Sequence, residues 1–435
     1  MKRLCYNMKL EYTSNFVKNT ETGGGPGMAQ KGIFIHSARV LDPSCGLDRI
    51  CDIRIDEGKI TAVGNGISSE GCRVLNAGGL CCAPGLVDMH VHLREPGQTH
   101  KEDIHSGCRA AAAGGVTSVV CMPNTSPVCD TPEQIRWILD RAKDADARVY
   151  PAAAITASLK GETLTDFEAL KESGAAAVSD DGRPVPTADK MMQAMEKAAA
   201  CGLPVLSHCE ELTLVRGGIM NEGDVSRSLG VPGIHPGAED VATAREIAIA
   251  AATGCPVHIC HVSTKGSAQL IRDARRRGVP VTGETAPHYF TMTDALLQGR
   301  DADYRMNPPL RSEEDVAAIL ASIADGTLSV IATDHAPHAE WEKADFLKAP
   351  NGALGLETSL AAGITALVRP GHITLLRLVE LMSTAPAALL GIPGGTLRQG
   401  AAADIVLFDP EEAWTVDRDQ LHGKSKNTPF KGMTL

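Results

Sequence analysis

The sequence predicts an α/β fold, namely a (β/α)8 TIM-like barrel with a small β-sandwich domain built from both chain ends. Along the middle of the 435-residue chain, apolar strand candidates alternate with amphipathic helix candidates, the order expected of a parallel sheet. No GxGxxG turn follows the first of these strands, so the pattern favours a barrel over a doubly wound sheet. The expected division is sandwich over 28–84, barrel over 85–384 and sandwich again over 385–435.

The first part of the chain is expected to lie outside both domains. Residues 1–27 contain Gly23-Gly24-Gly25-Pro26 and lack the apolar centre of a secretion signal. This segment is therefore interpreted as a disordered extension, or as an over-long start for which Met28 is the natural one.

The sandwich is predicted from short alternating strands separated by Gly-containing turns. The candidates are Gly32–His36, Cys51–Ile55 and Lys59–Val63 near the start, and Ala403–Phe408 and Ala413–Val416 near the end.

The barrel is predicted from strand candidates at the spacing of β/α units. They are Gly85–Val91, Ser118–Met122, Val149–Ala152, Ala177–Ser179, Val205–His208, Val257–Val262, Val279–Glu284 and Ser329–Thr333. The amphipathic stretches between them include Pro132–Ala145, Ala188–Cys201, Ala238–Thr253, Ser267–Gly278 and Ser312–Ala324.

The composition excludes several classes of partner. A net charge of -11 with 3% aromatic residues argues against a nucleic-acid-binding surface. No apolar run approaches the roughly 18 residues of a membrane-spanning helix. The 13 cysteines are scattered, without a CxxC motif, and many lie in apolar segments, so reduced thiols and a cytoplasmic location are predicted.

Polar residues stand where the predicted barrel strands end, which is the catalytic end of such barrels. His90 and His92 lie on one face of the first strand because side chains alternate along a strand, and Arg94 follows them. The ends of other strands carry Asn124, Asp180, Asp181, His208, His261, Asn307, Asp334 and His338. Imidazoles and carboxylates gathered at one end of a barrel need partners or a metal, so a metal site is predicted.

At this point the chain resembles the amidohydrolase superfamily, and within it the bacterial type I dihydroorotases. The similarity runs from about Ile33 to Phe430. The motifs that carry it are Asp88-Met-His-Val-His-Leu-Arg-Glu-Pro-Gly97, Met122-Pro-Asn-Thr125, Ser179-Asp-Asp-Gly182, Arg305-Met-Asn-Pro-Pro-Leu-Arg311, Ala332-Thr-Asp-His-Ala-Pro-His338 and Gly355-Leu-Glu-Thr358.

The resemblance implies two zinc ions with defined ligands. His90, His92 and Asp334 would hold one ion, and His208 and His261 the second. A carboxylate would bridge them. Asp181 is the expected bridge and Asp180 the weaker candidate, since no lysine stands at this place.

The resemblance also implies the reaction, the reversible cyclisation of N-carbamoyl-L-aspartate to dihydroorotate in pyrimidine synthesis. A hydroxide held between the metals would be the nucleophile, and Asp334 the general acid and base. Residues implied to contact substrate are His92, Arg94, Asn124, Asn307, His338, Pro350 and Gly352. An arginine suits the substrate carboxylate because its guanidinium can bind both oxygens.

Two other functions are compatible with these residues. One is another cyclic amidohydrolase, such as a dihydropyrimidinase, hydantoinase or allantoinase, against which Asp181 and Arg94 argue. The other is a non-catalytic dihydroorotase-like scaffold of aspartate transcarbamoylase, against which the complete ligand set argues. A homodimer is expected, and an active partner of aspartate transcarbamoylase remains a hypothesis.

Overall fold

A computed structural model describes residues 6–7 and 32–435 of the chain. The strands are β1 (Tyr6–Asn7), β2 (Gly32–Asp42), β3 (Leu47–Asp56), β4 (Lys59–Gly64), β5 (Cys72–Asn76), β6 (Cys81–Pro84), β7 (Leu86–Val91), β8 (Val116–Cys121), β9 (Arg148–Ala153), β10 (Ala177–Val178), β11 (Leu206–Ser207), β12 (Met220–Asn221), β13 (Gly233–Ile234), β14 (Val257–Ile259), β15 (Val281–Thr285), β16 (Val330–Ile331) and β17 (Ile405–Phe408). Apart from β1, the extension expected over residues 1–27 lies outside the described residues.

The α-helices lie mainly between the barrel strands. They are α1 (Ile104–Ala113), α2 (Pro132–Arg141), α3 (Phe167–Glu172), α4 (Ala188–Cys201), α5 (Asp224–Leu229), α6 (Gly237–Thr253), α7 (Lys265–Arg276), α8 (Pro287–Thr291), α9 (Glu313–Ala324), α10 (Ser359–Gly363), α11 (Leu375–Val379) and α12 (Ala385–Leu390). In the described part of the chain, no helix combines the length and apolarity needed to cross a membrane.

Eight parallel strands form the barrel, as the sequence predicts. One half pairs in the order β7, β8, β9, β10, and the other in the order β11, β14, β15, β16. Single parallel bridges, Val178 to Val205 and Val91 to His335, join the two halves. Inward-facing apolar residues such as Met89, Met122 and Leu206 fill the interior, so the barrel is a packed core with its chemistry at one end.

Helix α4 illustrates why the outer helices form where the sequence places them. Its Thr187 side chain accepts a hydrogen bond from the Lys190 N–H, and Gly202 ends the helix in a left-handed conformation with φ 66°. The residues that it buries recur at helical spacing and are Met191, Ala194, Met195 and Ala198. This apolar stripe joins the cluster between helices and barrel.

The small domain contains strands from both chain ends, which confirms that prediction. Its strand order is β1, β17, β6, β2, β3, β4, and β5 also pairs with β2. Strand β17 runs antiparallel to β6, with Ile405 opposite Pro84. Ile35, Ile53 and Leu407 belong to one buried apolar cluster of this domain.

The predicted strand Ala413–Val416 is wrong. Both edges of β17 are already paired, to β1 and to β6, so this sheet offers no edge beside it. Thr415 instead forms an isolated bridge to Thr434. Val416 packs with Phe430 and Leu435 in a different cluster. The last residues therefore do not extend the small sheet.

Candidate metal centre

The barrel brings the predicted ligands together from five strand ends. His90 belongs to β7 and His92 follows it, while His208 comes directly after β11. The remaining predicted ligands follow β10, β14 and β16 within three residues, and they are Asp181, His261 and Asp334. All six side chains are buried. Parallel strands present their carboxyl ends at one rim, which is why residues so distant in sequence meet here.

Asp181 lies at the centre of the cluster. Its Oδ1 is 3.3 Å from His90 Nε2, 3.5 Å from His208 Nδ1 and 3.7 Å from His261 Nε2. Its Oδ2 is 3.6 Å from His92 Nε2. Burial by itself would raise the pKa of the Asp181 carboxyl, but the charge on His90 and hydrogen bonds from His208 and His261 hold that pKa well below its usual range. The carboxylate is therefore ionised and faces four imidazoles.

Asp180 has a different environment. Its Oδ1 accepts a 3.0 Å hydrogen bond from the Thr156 N–H, and its Oδ2 accepts from the Thr156 hydroxyl. Burial raises the pKa of the Asp180 carboxyl to about 6. The structure thus places Asp181, rather than Asp180, among the imidazoles.

Asp334 completes the cluster on the side of His92. Its Oδ1 is 3.1 Å from His92 Nε2 and 3.7 Å from His90 Nε2. The Asp334 backbone has φ 48°, a left-handed conformation that is uncommon outside glycine. Burial works to raise the pKa of this carboxyl, but the His92 hydrogen bond and the nearby imidazole charges lower it overall.

The residues fit a divalent metal. Three potential ligand groups are present among the described residues. Two of them contain Asp181, with His90 and His92 in one and His208 and His261 in the other, and the third joins His90 to Cys260 and Glu284. Their ligand atoms lie within 4.8 Å of one another in each group. His90 Nε2 is buried and has no hydrogen-bond partner in the described part of the chain. Buried imidazole nitrogens around a carboxylate are the donor set that zinc prefers.

Two carboxylates that the sequence analysis missed orient the histidines. Glu284 Oε1 accepts from His90 Nδ1 at 3.1 Å, which directs His90 Nε2 toward Asp181. Glu210 Oε2 accepts from His208 Nε2 at 3.4 Å, which leaves His208 Nδ1 facing the cluster. Such carboxylate partners set the tautomer of a metal-binding histidine. The sequence feature that could have pointed to Glu284 and Glu210 is their position, since both lie at the end of a barrel strand.

Arg94 lies beside this cluster and is buried. Its Nε donates to the Pro337 carbonyl at 3.1 Å, and its Nη2 is 3.3 Å from His338 Nε2. His338 Nε2 is also 2.8 Å from the Asn351 carbonyl, so this nitrogen carries the proton and Nδ1 accepts from Lys101 Nζ at 3.3 Å. Burial lowers the pKa of Arg94 to about 10, and the guanidinium remains charged at neutral pH.

The two predicted substrate-binding amides, Asn124 and Asn307, differ in whether they retain an unpaired hydrogen-bonding atom. Asn124 Oδ1 is 2.9 Å from His92 Nδ1, and its Nδ2 donates to Asp181 Oδ2 at 3.1 Å. Asn307 Nδ2 donates to Glu210 Oε1 at 3.0 Å, whereas its Oδ1 is buried without a partner among the described residues. Asn124 therefore supports the cluster, and Asn307 keeps an acceptor.

The backbone groups of Pro350 and Gly352 are largely engaged within the protein. Lys343 Nζ donates to both carbonyls, at 2.9 and 3.0 Å, and to the Arg305 carbonyl at 3.1 Å. The Gly352 N–H donates to the same Arg305 carbonyl at 2.9 Å. Pro350 and Gly352 therefore form a wall segment beside His338, which these hydrogen bonds hold in place.

Comparison with known proteins identifies the family. A family model described as dihydro-orotase-like matches residues 79–267. A curated dihydroorotase from Pelobacter propionicus is 50% identical over 406 residues, covering 93% of this chain and 96% of that protein. A dihydroorotase from Geobacter metallireducens is 51% identical over 403 residues, covering 92% of this chain and 95% of that protein. The chain belongs to the dihydroorotase family.

Solved structures similar to this dihydroorotase-family chain confirm the barrel architecture. The L-hydantoinase (dihydropyrimidinase) from Arthrobacter aurescens superposes with a TM-score of 0.82 at 25% identity, covering 93% of this chain and 92% of that one. The dihydropyrimidinase from Brevibacillus agri has a TM-score of 0.81 at 26% identity, with the same coverage. Sequence identity to the dihydroorotases is about twice as high, which assigns the chain to that branch of the cyclic amidohydrolases.

Proposed function

We propose that this enzyme interconverts dihydroorotate and N-carbamoyl-L-aspartate, a step of pyrimidine synthesis. The observation that carries the proposal is Arg94. In the described part of the chain no carboxylate forms an ion pair with this buried guanidinium, which lies beside the histidine cluster. A buried charge without a counterion needs an anionic ligand. Dihydroorotate has the required carboxylate and dihydrouracil lacks it.

The metal is proposed to be zinc, with two ions per chain. His90, His92 and Asp334 would hold one ion, His208 and His261 the other, and Asp181 would bridge them. When bound, the ions would lower the pKa of a water molecule and polarise the ring carbonyl. The donor set of four imidazoles and two carboxylates supports this assignment.

Asp334 is the proposed general base and acid. In the hydrolytic direction it takes a proton from the attacking water, whose oxygen bonds to the ring amide carbon. It then delivers the proton to the departing ring nitrogen as the carbon–nitrogen bond breaks. Its Oδ1 lies against His92 and His90, so its position relative to the cluster is set before substrate arrives.

The remaining substrate contacts are proposed residue by residue. Arg94 binds the substrate carboxylate, with His338 beside it. Asn307 contacts the ring through its free Oδ1. His92 and Asn124 line the metal side of the ring, and the wall formed by Pro350 and Gly352 contacts its face.

We further propose a cytoplasmic homodimer. Most of the twelve described cysteines are buried, which suits a reducing compartment. An association with aspartate transcarbamoylase is a second prediction, and co-elution of the two purified proteins at low salt would support it.

The deciding experiment compares hydrolysis of dihydroorotate and dihydrouracil by the zinc-loaded protein. We expect turnover of dihydroorotate alone. Arg94→Met should raise KM for dihydroorotate about tenfold to a hundredfold, because hydrogen bonds to a charged group contribute about 1.5–3 kcal/mol. Turnover of dihydrouracil alone would favour the dihydropyrimidinase alternative, and inactivity toward both would favour the scaffold.

A further inference from the structure

Glu210 links the metal cluster to a proposed substrate contact. Its side chain is 10% exposed and bonds to two groups from different parts of the barrel. Oε2 is 3.4 Å from His208 Nε2, and Oε1 is 3.0 Å from Asn307 Nδ2. Glu210 follows β11, whereas Asn307 lies in the segment between β15 and α9.

The carboxylate determines how the Asn307 amide is oriented. An ionised carboxylate accepts hydrogen bonds and donates none. The Asn307 side chain must therefore present its NH2 group to Glu210 and turn its oxygen away. In the same way, His208 must present an N–H at Nε2, which directs Nδ1 toward Asp181.

The oxygen that is turned away has no partner. Asn307 Oδ1 is buried, and no donor in the described residues reaches it. A buried amide oxygen without a donor is destabilising, so a ligand that supplies an N–H would bind more tightly. Asn124, the other amide of the site, has its oxygen and nitrogen engaged by His92 and Asp181.

We propose that Glu210 is a positioning residue that holds the Asn307 amide with its oxygen toward substrate, so that the site selects a ring bearing an N–H at that place. The inference rests on the proposed function and deepens it, because it names the group that recognises the ring. Glu210 itself does not contact substrate.

A reciprocal exchange tests this arrangement. In Glu210→Gln, the new glutamine keeps the bond to His208 Nε2 through its side-chain oxygen, so its NH2 group faces Asn307. The Asn307 side chain must then rotate to avoid placing its own NH2 group against that donor. The oxygen of Asn307 then faces residue 210 and its NH2 group faces substrate. KM for dihydroorotate should rise about tenfold, because the hydrogen bond from the substrate N–H to Asn307 is lost and two donors, the Asn307 NH2 group and the substrate N–H, face each other instead.

The second substitution should restore binding. Asn307→Asp alone sets two carboxylates against each other and should also raise KM. In the double variant Glu210→Gln with Asn307→Asp, the new amide donates to the new carboxylate, whose other oxygen again faces substrate. KM should return to within about threefold of the wild-type value, a recovery that loss of general packing would not produce.

Zinc content is measured in every variant, and Glu211→Gln serves as the matched control. Glu211 is partly exposed and bonds to Thr213 rather than to the site, so its substitution should leave KM unchanged. An unchanged KM in Glu210→Gln, or no recovery in the double variant, would overturn the inference. Zinc loss with a normal KM in the loaded fraction would show that Glu210 acts through His208 alone. If the wild-type protein itself fails to hydrolyse dihydroorotate, the proposed function fails instead.

Discussion

At the scale of single residues, Asp181 joins the two halves of the cluster because it is a buried carboxylate with imidazoles on both oxygens. His90, His208 and His261 approach one oxygen and His92 the other. Asp181 belongs both to the ligand group with His90 and His92 and to the group with His208 and His261.

Asp181→Asn should reduce the binding of both metal ions. The amide keeps the shape of the side chain but removes the negative charge and replaces one acceptor oxygen by a donor. Metal content per chain, measured by elemental analysis after dialysis, should fall well below that of the wild type. Asp180→Asn is the matched control, since Asp180 bonds to Thr156 and should keep the metal. Two tightly bound ions in Asp181→Asn would contradict the bridging role.

Lys343 is a second residue that yields a prediction, because its pKa makes the free energy of unfolding depend on pH. Its Nζ donates to three backbone carbonyls, and burial lowers its pKa from 10.5 to about 7. Between about pH 7 and 10.5 the unfolded chain therefore binds more protons at this residue than the folded one. The contribution of Lys343 to the free energy of unfolding thus rises with pH in that window and is constant below it.

Lys343→Met should remove this slope. The difference in the free energy of unfolding between wild type and variant, measured in urea from pH 7 to 9, should grow with pH in favour of the wild type. Cysteine ionisation affects both proteins alike and cancels in the difference. A difference that is flat with pH would show that Lys343 has an ordinary pKa.

At the scale of elements, the C-terminal segment supports the wall of the site. Asn427 Oδ1 accepts from the His338 N–H at 3.1 Å. Its Nδ2 donates to the Ala336 carbonyl at 3.2 Å and to the Gly352 carbonyl at 3.0 Å. One side chain thus holds the loop after β16 and the wall segment together.

Asn427→Ala should loosen both segments and raise KM about threefold to tenfold, with a smaller effect on kcat, because buried backbone groups lose their partners. Asn427→Asp keeps the acceptor for the His338 N–H and loses the two donated bonds, so its KM should lie between those of wild type and Asn427→Ala. Steady-state kinetics on dihydroorotate provide the measurement. Equal KM values in all three proteins would contradict the supporting role.

The element scale also shows where sequence patterns succeed. Barrel strands are apolar on both faces and lie between turn residues, so their positions follow from composition and spacing. Segment Ala413–Val416 has a strand pattern as well, but local pattern carries no information on whether a sheet has an edge free. That information depends on how β1, β17 and β6 pair.

At the scale of the whole molecule, the small domain is tied to the barrel by polar contacts as well as by chain connections. Arg148 in β9 forms a 2.9 Å ion pair with Asp404, which precedes β17. The Gly85 N–H donates to the Asp404 carbonyl at 2.9 Å. The histidine and aspartate cluster, by contrast, draws side chains from the ends of five barrel strands, so a bound metal would stabilise the whole barrel rather than one element.

Removal of the metal should therefore lower the Tm. A ligand bound to the folded state alone stabilises it by about 4 kcal/mol when present at a thousandfold excess over Kd. Calorimetry before and after treatment with a chelator should show a lower Tm, and added zinc should restore it. Glu284→Gln should require more zinc for the same recovery, about tenfold to a hundredfold, since it loses the carboxylate that orients His90. An unchanged Tm in metal-free protein would contradict the proposed stabilisation.

The order of strands and helices and the residue types at the strand ends follow from the linear sequence, because hydrophobic periodicity and motif spacing are local properties. The family resemblance carried by these motifs implied His90, His92, Asp181, His208, His261 and Asp334 as metal ligands, and this assignment stays a prediction. The partners of these residues were not, since Glu284 lies 194 residues from His90 and Asn307 lies 97 residues from Glu210. Such pairs are set by barrel closure and strand register, and tertiary structure alone brings a buried acceptor within reach of one particular donor.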